Sequence, residues 1–473
     1  PVNIELRMQI LDTAGTELLG NDGGLVSDAI PMQTFTSAWS IAIDDSDHLF
    51  LGVTGTSGNT GYLFKVDPSG TVLWNVVIPD AINTKVTLTN GGGAVISWLN
   101  TSTFNLNMQK FDSTGSSVWN GATALSVQSV PADVYELSNG ELILVYHLLG
   151  FGVSSTLYAQ RFDSMGAAVW SSAVQLSDKT TQFNIPYGGL IDNDVVYYGY
   201  YPSSGFRFDS YLQRINDDGT LPWGINGVDF DTNQTDYEME TEIAMDATSS
   251  ELYAICTYRD PTQNNTGERV QKIDITTGSR LFGDNAKELF SIGSQNKHAG
   301  SLFLSDGVPV FLVESGLDNG GSPTTLNACV LDSNGEFLLP NDLEPLATFT
   351  ADKSRVQWTQ PVNNQAVAVF TEDRGAGQEI FAQNFTSQLL SITNESIPLA
   401  IDFNSVVEKK LELHSSTTID LVEIYDLAGQ LVASKNFSDD NYSINLEELE
   451  AGLYISHAIF ANDTIESFKI LKR

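Results

Sequence analysis

An all-β chain of more than one domain is the fold class this sequence predicts, and three observations carry it. A short strand-turn-strand unit recurs along most of the 473 residues. A second, strand-rich hairpin runs between its copies. Before Asn394 no stretch shows the 3.6-residue apolar period of an amphipathic helix. The length argues for at least two cores, and 41% hydrophobic residues are enough to fill them.

The recurring unit is a strand, then Asp/Asn-x-x-Gly, then an arm ending in Trp, Phe or Leu. Its copies are QILDTAGTELL, FKVDPSGTVLW, QKFDSTGSSVW, QRFDSMGAAVW, QRINDDGTLPW, QKIDITTGSRLF and CVLDSNGEFLL. They centre on Gly15, Gly70, Gly115, Gly166, Gly219, Gly278 and Gly335, at intervals of 55, 45, 51, 53, 59 and 57 residues. A degenerate copy, FAQNFTSQLL from Phe381, has lost both Asp and Gly. The physics is that of a β-hairpin. Asp67 can accept backbone N–H groups across its turn, and Gly70 supplies the positive φ that a tight turn needs. Trp74, Trp119, Trp170 and Trp223 each fall four residues after a glycine. Each is expected at the same place on its unit, packed between neighbours as a blade-docking residue.

The intervening hairpins are WSIAIDDSDHLFLGV, TLTNGGGAVISWL, YELSNGELILVYH, GLIDNDVVYYGYY, IAMDATSSELYAICTY, LFLSDGVPVFLVE and PVNNQAVAVFTE. Each repeat of about 50 residues is then four short strands, which is the signature of a β-propeller. Seven inner hairpins face eight outer units, and the surplus outer unit is N-terminal, Leu6 to Leu19. Seven blades follow if the N-terminal strands complete the last blade. Eight blades are the alternative.

Charge narrows the partners. With 23 Lys plus Arg against 59 Asp plus Glu, the chain carries −36. Such a surface repels phosphate backbones and anionic lipid, so nucleic acid is excluded as a partner. No apolar run reaches transmembrane length. Cys256 and Cys329 sit in apolar runs and read as buried free thiols. The strand-like start PVNIELRMQIL fits a processed N-terminus.

Catalytic patterns are absent from the sequence. It has no Gly-x-Ser-x-Gly elbow, and its five histidines are scattered rather than set at zinc-ligand spacing. It has no Asp-x-Asp-x-Asp-Gly calcium loop. His48, in IDDSDHL, reads as part of a solvated turn. Among the acids, Asp246, Asp373 and Glu379 are as plausible as many others, so no pair stands out for glycosidase chemistry. No catalytic, cofactor-binding or metal residue is assigned, and no cofactor is expected. In VVYYGYY, Tyr198 and Tyr200 face one way and Tyr197 and Tyr201 the other. They read as core, with sugar stacking at a propeller face as the alternative.

Two resemblances follow from particular residues. The Asp-x-x-Gly-x-x-x-Trp pattern, with Thr277-Gly278 in one copy, resembles the repeat of quinoprotein-like (PQQ-repeat-like) propellers. It covers residues 6 to about 390. Those families bind quinone with a vicinal cysteine pair or with cationic and aromatic groups beside calcium. The cysteine pair is missing here, and only scattered Lys and Arg could serve the cofactor. At the C-terminus, Ile424-Tyr425-Asp426-Leu427-Ala428-Gly429-Gln430-Leu431-Val432, then Leu449, Gly452, Leu453 and Tyr454, then Phe468-Lys469-Ile470-Leu471-Lys472 resemble the type A C-terminal sorting domain of the type IX (Por) secretion system of Bacteroidota. The usual Tyr-Pro-Asn-Pro opening is replaced by Ile401-Asp402-Phe403-Asn404. The resemblance implies that Tyr425, Asp426, Gly429, Leu449, Gly452, Leu453, Tyr454, Lys469 and Lys472 carry the sorting signal. It further implies export through the periplasm and across the outer membrane, with the tail recognised by the translocon and by its PorV-like β-barrel shuttle protein. In these bacteria Asp-Ser/Thr steps such as Asp12-Thr13, Asp112-Ser113, Asp163-Ser164 and Asp463-Thr464 resemble O-glycosylation sites.

The expected organisation is a propeller over 1–393, a linker over 394–407 containing Pro398, and a small β-sandwich over 408–473. From Asp402 onward the tail holds 13 acids and 6 bases, a net −7, so recognition by strand pairing or shape is expected rather than by charge. The expected function is that of a secreted or cell-surface cargo acting as a binding or adhesion module, with a glycan or surface ligand as partner and no enzyme activity. The alternatives are a secreted carbohydrate-active enzyme using channel carboxylates and an accessory of gliding motility or of the secretion machinery.

Overall fold

The computed structural model describes residues 2–32, 39–55, 59–150, 154–183, 187–205, 207–247, 249–293, 297–305, 307–316, 323–339, 341–358, 365–375, 377–386, 401–404, 406–415, 418–426, 430–437, 442–460 and 465–473. The chain divides into two compact units, Pro1–Ile392 and Thr393–Arg473. Every regular element among the described residues is a strand.

In the first unit, Val2–Met8 pairs antiparallel with Gly24–Met32. The strands after this pair fall into consecutive antiparallel groups. The first group is Trp39–Ile43, Leu49–Gly55, Thr60–Val66 and Val72–Ile78. The second is Ala81–Thr89, Gly93–Asn100, Asn105–Phe111 and the first half of Thr123–Glu136. The second half of that long strand opens the third group, with Leu142–Leu149, Ser154–Phe162 and Val174–Gln175. The fourth is Gly188–Asp192, Val195–Tyr200, Tyr211–Ile215 and Val228–Asp229. The fifth is Tyr237–Ala244, Glu251–Arg259, Thr266–Asp274 and Lys287–Phe290. The sixth is Lys297–Ser305, Val308–Gly316, Pro323–Val330 and Glu344–Ala347, and the last is Ser354–Trp358, Gln365–Asp373 and Gln378–Thr386. Four-stranded sheets following one another along the chain are the construction of a β-propeller.

The repeat explains how neighbouring groups meet. Six of the seven turns are closed by the glycine N–H donating to the Asp or Asn carbonyl three residues back, as Gly70 does to Asp67 at 2.9 Å, and Gly278 donates to Asp274 four residues back. The Asp67 carboxylate accepts the N–H groups of Ser69 and Thr71 at 2.9 and 2.8 Å. The same two bonds recur at Asp12, Asp112, Asp163 and Asp332. The residue four after each glycine covers the glycine of the following repeat. A Cβ on Gly115 would stand 2.7 Å from the Trp74 ring, and one on Gly166 would stand 3.0 Å from Trp119. Trp170 covers Gly219, Trp223 covers Gly278 and Phe282 covers Gly335. The φ of +84° at Gly166 also excludes a side chain there without strain.

Two details differ from the sequence reading. The arm after the turn is a full strand only in the first group, Val72–Ile78. In the second, third, fifth and sixth groups the turn is followed by a single bridge, such as Phe111↔Ser117 and Phe162↔Ala168, and the fourth strand comes later. The N-terminal pair also joins only itself among the described residues, rather than completing the last group. Leu19 covers Gly70 as Trp74 covers Gly115, and Val26 and Ile30 pack on Leu51, Val53 and Phe64. The pair therefore stands before the first group.

In the second unit, Ile401–Phe403, Lys410–Ser415 and Ser443–Asn445 form one sheet. Val406–Val407, Ile465–Lys472, Gly452–Phe460, Ile419–Tyr425 and Leu431–Asn436 form the other, in that order. Both contribute to one cluster, including Leu411, Ile444, Val422, Ala458 and Ile470, each under 5% exposed. Burial on alternate residues of Gly452–Phe460 follows from the two-residue period of a strand.

Candidate functional site

The residues singled out in the sequence have distinct surroundings. His48 donates or accepts at the Asp44 carboxylate 3.0 Å away, inside a turn that Asp44 also closes by accepting the Ser46 and His48 N–H groups. Tyr197, Tyr198, Tyr200 and Tyr201 are all under 5% exposed, so stacking on sugar is removed for them. The Tyr198 hydroxyl donates to Asp133 and that of Tyr200 to the Asn226 carbonyl. Asp373 accepts the N–H groups of Gly375 and Gly377 in a turn, while Glu379 lies on the neighbouring strand opposite Glu372. Cys256 and Cys329 are buried free thiols.

In the tail, the Asp426 carboxylate accepts the Gln430 N–H at 2.9 Å, as the Asp67 carboxylate accepts that of Thr71. Gly429 lies outside the described residues. Tyr425 donates to Glu423 at 2.7 Å, and Tyr454 is buried with its hydroxyl on the Glu450 carbonyl. Leu449 packs against the core. Gly452 opens its strand, and Leu453 beside it is exposed. Lys469 is exposed, whereas Lys472 is 7% exposed and donates to the Arg473 carbonyl.

The densest chemistry in the first unit flanks the strand Tyr237–Ala244, where the sequence offered no signal. Its segment Glu238-Met-Glu240-Thr-Glu242 would put three carboxylates on one face of a regular strand. A bulge between Met239 and Glu242, with Glu240 at φ 59°, breaks that parity. Glu238 and Thr241 therefore turn toward the fourth group, and Glu240 and Glu242 toward the sixth.

On the fourth-group side, Glu238 meets Arg207 at 3.3 Å and accepts the Ser210 N–H at 3.2 Å. Arg207 also pairs with Asp209 at 2.5 Å. Asp231 accepts the Tyr258 hydroxyl and the Asn233 N–H. Burial, reinforced by Asp231, Asp229 and Asp209, holds Glu238 far above the usual carboxylate range. Burial and then Asp209 push Asp229 up to about 6 against the pull of Arg280. One oxygen each from Asp229, Asp231 and Glu238 lies within 4.8 Å of the others. Such an oxygen set suits a hard cation, and these three are the residues that could hold one. Glu238 already has Arg207 as a partner and Asp231 has the Tyr258 hydroxyl and the Asn233 N–H.

On the sixth-group side, His298 Nε2 lies 2.5 Å from Glu240, whose other oxygen accepts from Arg259 at 3.1 Å. Glu268 is fully buried, with one oxygen accepting from Thr257 and the Ala299 N–H at 3.1 and 3.2 Å. Its other oxygen has no partner among the described residues. Burial pushes Glu268 up to about 8. Burial alone would lower His298, but the Glu240 bond outweighs it and raises the imidazole to about 9. Glu240 is held down to about 2 because the His298 and Arg259 contacts overcome its desolvation. These acids bind protons or cations of the protein itself, and serve to join adjacent sheets.

The C-terminal module is not part of the repeats, and its two-sheet core is its own. Residues 403–472 match the family described as the secretion system C-terminal sorting domain. The domain directs export across the outer membrane to the cell surface or extracellular space.

No curated protein matches the chain. Among solved structures, it is similar to the β-propeller domain of the Trilobed protease from Pyrococcus furiosus at 12% identity, covering 77% of this chain and 99% of that one, with TM-score 0.41. The Dos1 propeller aligns at 14% identity over 80% and 88%, with TM-score 0.39. A puromycin hydrolase aligns at 13% identity over 91% of this chain but 60% of its own, with TM-score 0.46. At this overlap and identity they carry no argument about chemistry.

Proposed function

We propose that this chain is a cargo of the type IX secretion system whose first unit, a seven-bladed β-propeller, works outside the cell as a binding module without turnover. The tail, read as a β-sandwich, engages the translocon and its PorV-like shuttle barrel. The sorting domain at residues 403–472 carries the export half of the reading. The binding half is supported by the state of the converging acids. Glu238 and Glu240 each have Arg or His partners and join neighbouring sheets. A glycosidase instead needs two acids facing substrate.

A glycan array and a panel of glycoside substrates, both with the purified full chain, test the reading. Saturable glycan binding with no product release is expected. Turnover that disappears in Glu268→Gln or Asp229→Asn would replace the binding reading with the enzymatic one.

A further inference from the structure

The first strands of the seven groups neighbour one another in chain order. Ser40 accepts the Val86 N–H at 3.1 Å, and Thr87 donates to the Val134 carbonyl at 3.2 Å. A Cβ on Gly189 would meet the Tyr135 hydroxyl, and Leu190 and Ile243 share one apolar cluster. Glu242 accepts the Leu302 N–H at 2.7 Å, and the Phe303 and Trp358 rings stand 5.7 Å apart. Five of these strands bury or half-bury every described side chain. The first and the last, Trp39–Ile43 and Ser354–Trp358, carry exposed ones.

The two strands expose opposite chemistries. Trp39, Ile41 and Ile43 are 49%, 49% and 59% exposed. Trp39 and Ile41 share a sheet face with their partners Val53 and Leu51. The N-terminal pair covers Val53 and Leu51 through Val26 and Ile30 and leaves Trp39, Ile41 and Ile43 bare. On the last group the exposed side chains are Ser354, Arg355 and Gln357. Arg355 begins a bulge at φ +54°, where glycine alone sits without strain. Glu240 and Ser301 begin the matching bulges of the fifth and sixth groups, at +59° and +58°. Glu240 reaches from that position to His298 of the group that follows. Arg355 and Gln357 have no hydrogen bond, ion pair or ring contact among the described residues, whereas Lys353 and Arg374 both hold Glu372. In a chain with 59 acids, a guanidinium left without one is an exception.

In the seven-bladed ring the group that follows the last is the first, so Arg355 and Gln357 face Trp39 and Ile41 across one cleft. We propose that this cleft is the binding site of the module and that its ligand is an acidic sugar, a pyranose carrying a carboxylate. This rests on the ring and binding reading above and adds the site and the ligand class. Trp39 and Ile41, about 7 Å apart along their strand, offer an apolar platform to the C–H face of the sugar. The Arg355 guanidinium takes the carboxylate through two parallel N–H···O bonds, and the Gln357 amide, both donor and acceptor, serves the hydroxyls. Glycine would relieve the backbone at position 355 but would remove the guanidinium, so the strain is kept with the side chain. The net charge of −36 repels extended polyanions, which favours a short oligosaccharide.

The test titrates the purified full chain with trigalacturonic acid, its methyl ester and maltotriose by calorimetry. The wild type is expected to bind the acid saturably and about tenfold or more tighter than the ester, the margin of a charge-assisted pair. Arg355→Gly is expected to keep or raise the urea midpoint, since glycine is unstrained at that φ, and to bind acid and ester alike. Arg355→Lys is expected to restore part of the preference, and Trp39→Ala to lose both ligands while staying folded. Spin labels on Ile43→Cys and Ser354→Cys, both exposed positions, read whether the last group stands beside the first; the native thiols are buried and stay unlabelled. A short distance between the labels is expected. A long one overturns the ring reading and the cleft with it. A short distance with no saturable binding of the acid, or with an Arg355→Gly chain that still prefers acid to ester, overturns the proposal and leaves the ring standing. Maltotriose bound as tightly as the acid would assign the cleft to neutral sugars and overturn the proposal.

Discussion

The four docking tryptophans are not equivalent, and replacing each by phenylalanine separates them. The Trp74, Trp119 and Trp170 indole N–H groups donate to the carbonyls of Ser113, Ser164 and Asp217 at 3.0, 2.9 and 3.0 Å. Each acceptor lies two residues before the glycine that the ring covers. The turn at Gly278 reads Asp274-Ile-Thr-Thr-Gly, one residue longer than its sisters, which displaces that carbonyl. The Trp223 indole N–H is accordingly buried without a partner among the described residues, although its ring still covers Gly278. Phenylalanine keeps most of the ring contact and removes the N–H. At Trp119, which is 3% exposed, the loss of a satisfied bond and the stranding of the Ser164 carbonyl should cost about 1–2 kcal/mol. At Trp223 the same change removes an unpaired buried donor, so it should be neutral or stabilising by up to about 1 kcal/mol. Trp119→Ala, which empties the ring site as well, should cost about 3–5 kcal/mol. Urea unfolding followed by far-ultraviolet circular dichroism measures all of these. Equal loss in Trp223→Phe and Trp119→Phe would refute the argument that the longer turn displaces the acceptor.

Three further outcomes are expected. Lys353 and Glu372 are fully buried 2.7 Å apart, so Glu372→Ala should cost about 3–5 kcal/mol by leaving an uncompensated charge, and a Lys353→Met/Glu372→Leu pair should recover most of it in the same urea assay. Glu268 has its folded pKa raised to about 8 and His298 to about 9. In both, the unfolded chain gives up its proton first, so the stability they contribute is lost as pH rises through those values. Melting temperatures should fall from about pH 6.5 to 9, and Glu268→Gln should flatten the lower part of that decline; a midpoint that rises over this range would contradict it. Because the His298 side chain is about a third exposed, added salt should weaken its share. Gly166→Ala would place a Cβ 2.5 Å from the Thr123 hydroxyl at a φ of +84°, and should cost about 1–3 kcal/mol by urea unfolding.

Much of the fold was legible because the repeat states its physics locally. The Asp and Gly of each turn make the bonds their chemistry implies, and the spacing of four residues from Gly115 to Trp119 is the distance a ring needs to reach the next turn. The inner pairs, such as Trp39–Ile43 with Leu49–Gly55, follow from apolar flanks around a polar turn. What escaped depends on distant partners. Nothing in Leu6 to Leu19 says whether the segment joins the first group or the last; that is decided by Leu19 meeting Gly70. The acidic seam escaped for a different reason. Alternation in Glu238-Met-Glu240-Thr-Glu242 predicts one shared face, and only a bulge with a non-glycine residue at positive φ sends Glu238 and Glu240 to opposite neighbours. Asp229, Asp231, His298 and Glu268 come from other strands, so no local motif could collect them. In the tail, the sorting motif marked Tyr425, Asp426 and Tyr454, which build turn and core, as well as Leu453, which faces solvent. Spacing alone does not separate those duties.

The central claim is an exported protein addressed by its last seventy residues. Its most direct measurement is the location of the full chain and of a chain ending before Phe403, both expressed in a type IX-competent host and assayed in periplasm, on the surface and in the medium. The full chain is predicted outside and the shortened chain in the periplasm, with its first unit still folded by far-ultraviolet circular dichroism. Export of the shortened chain at the level of the full one would contradict the account.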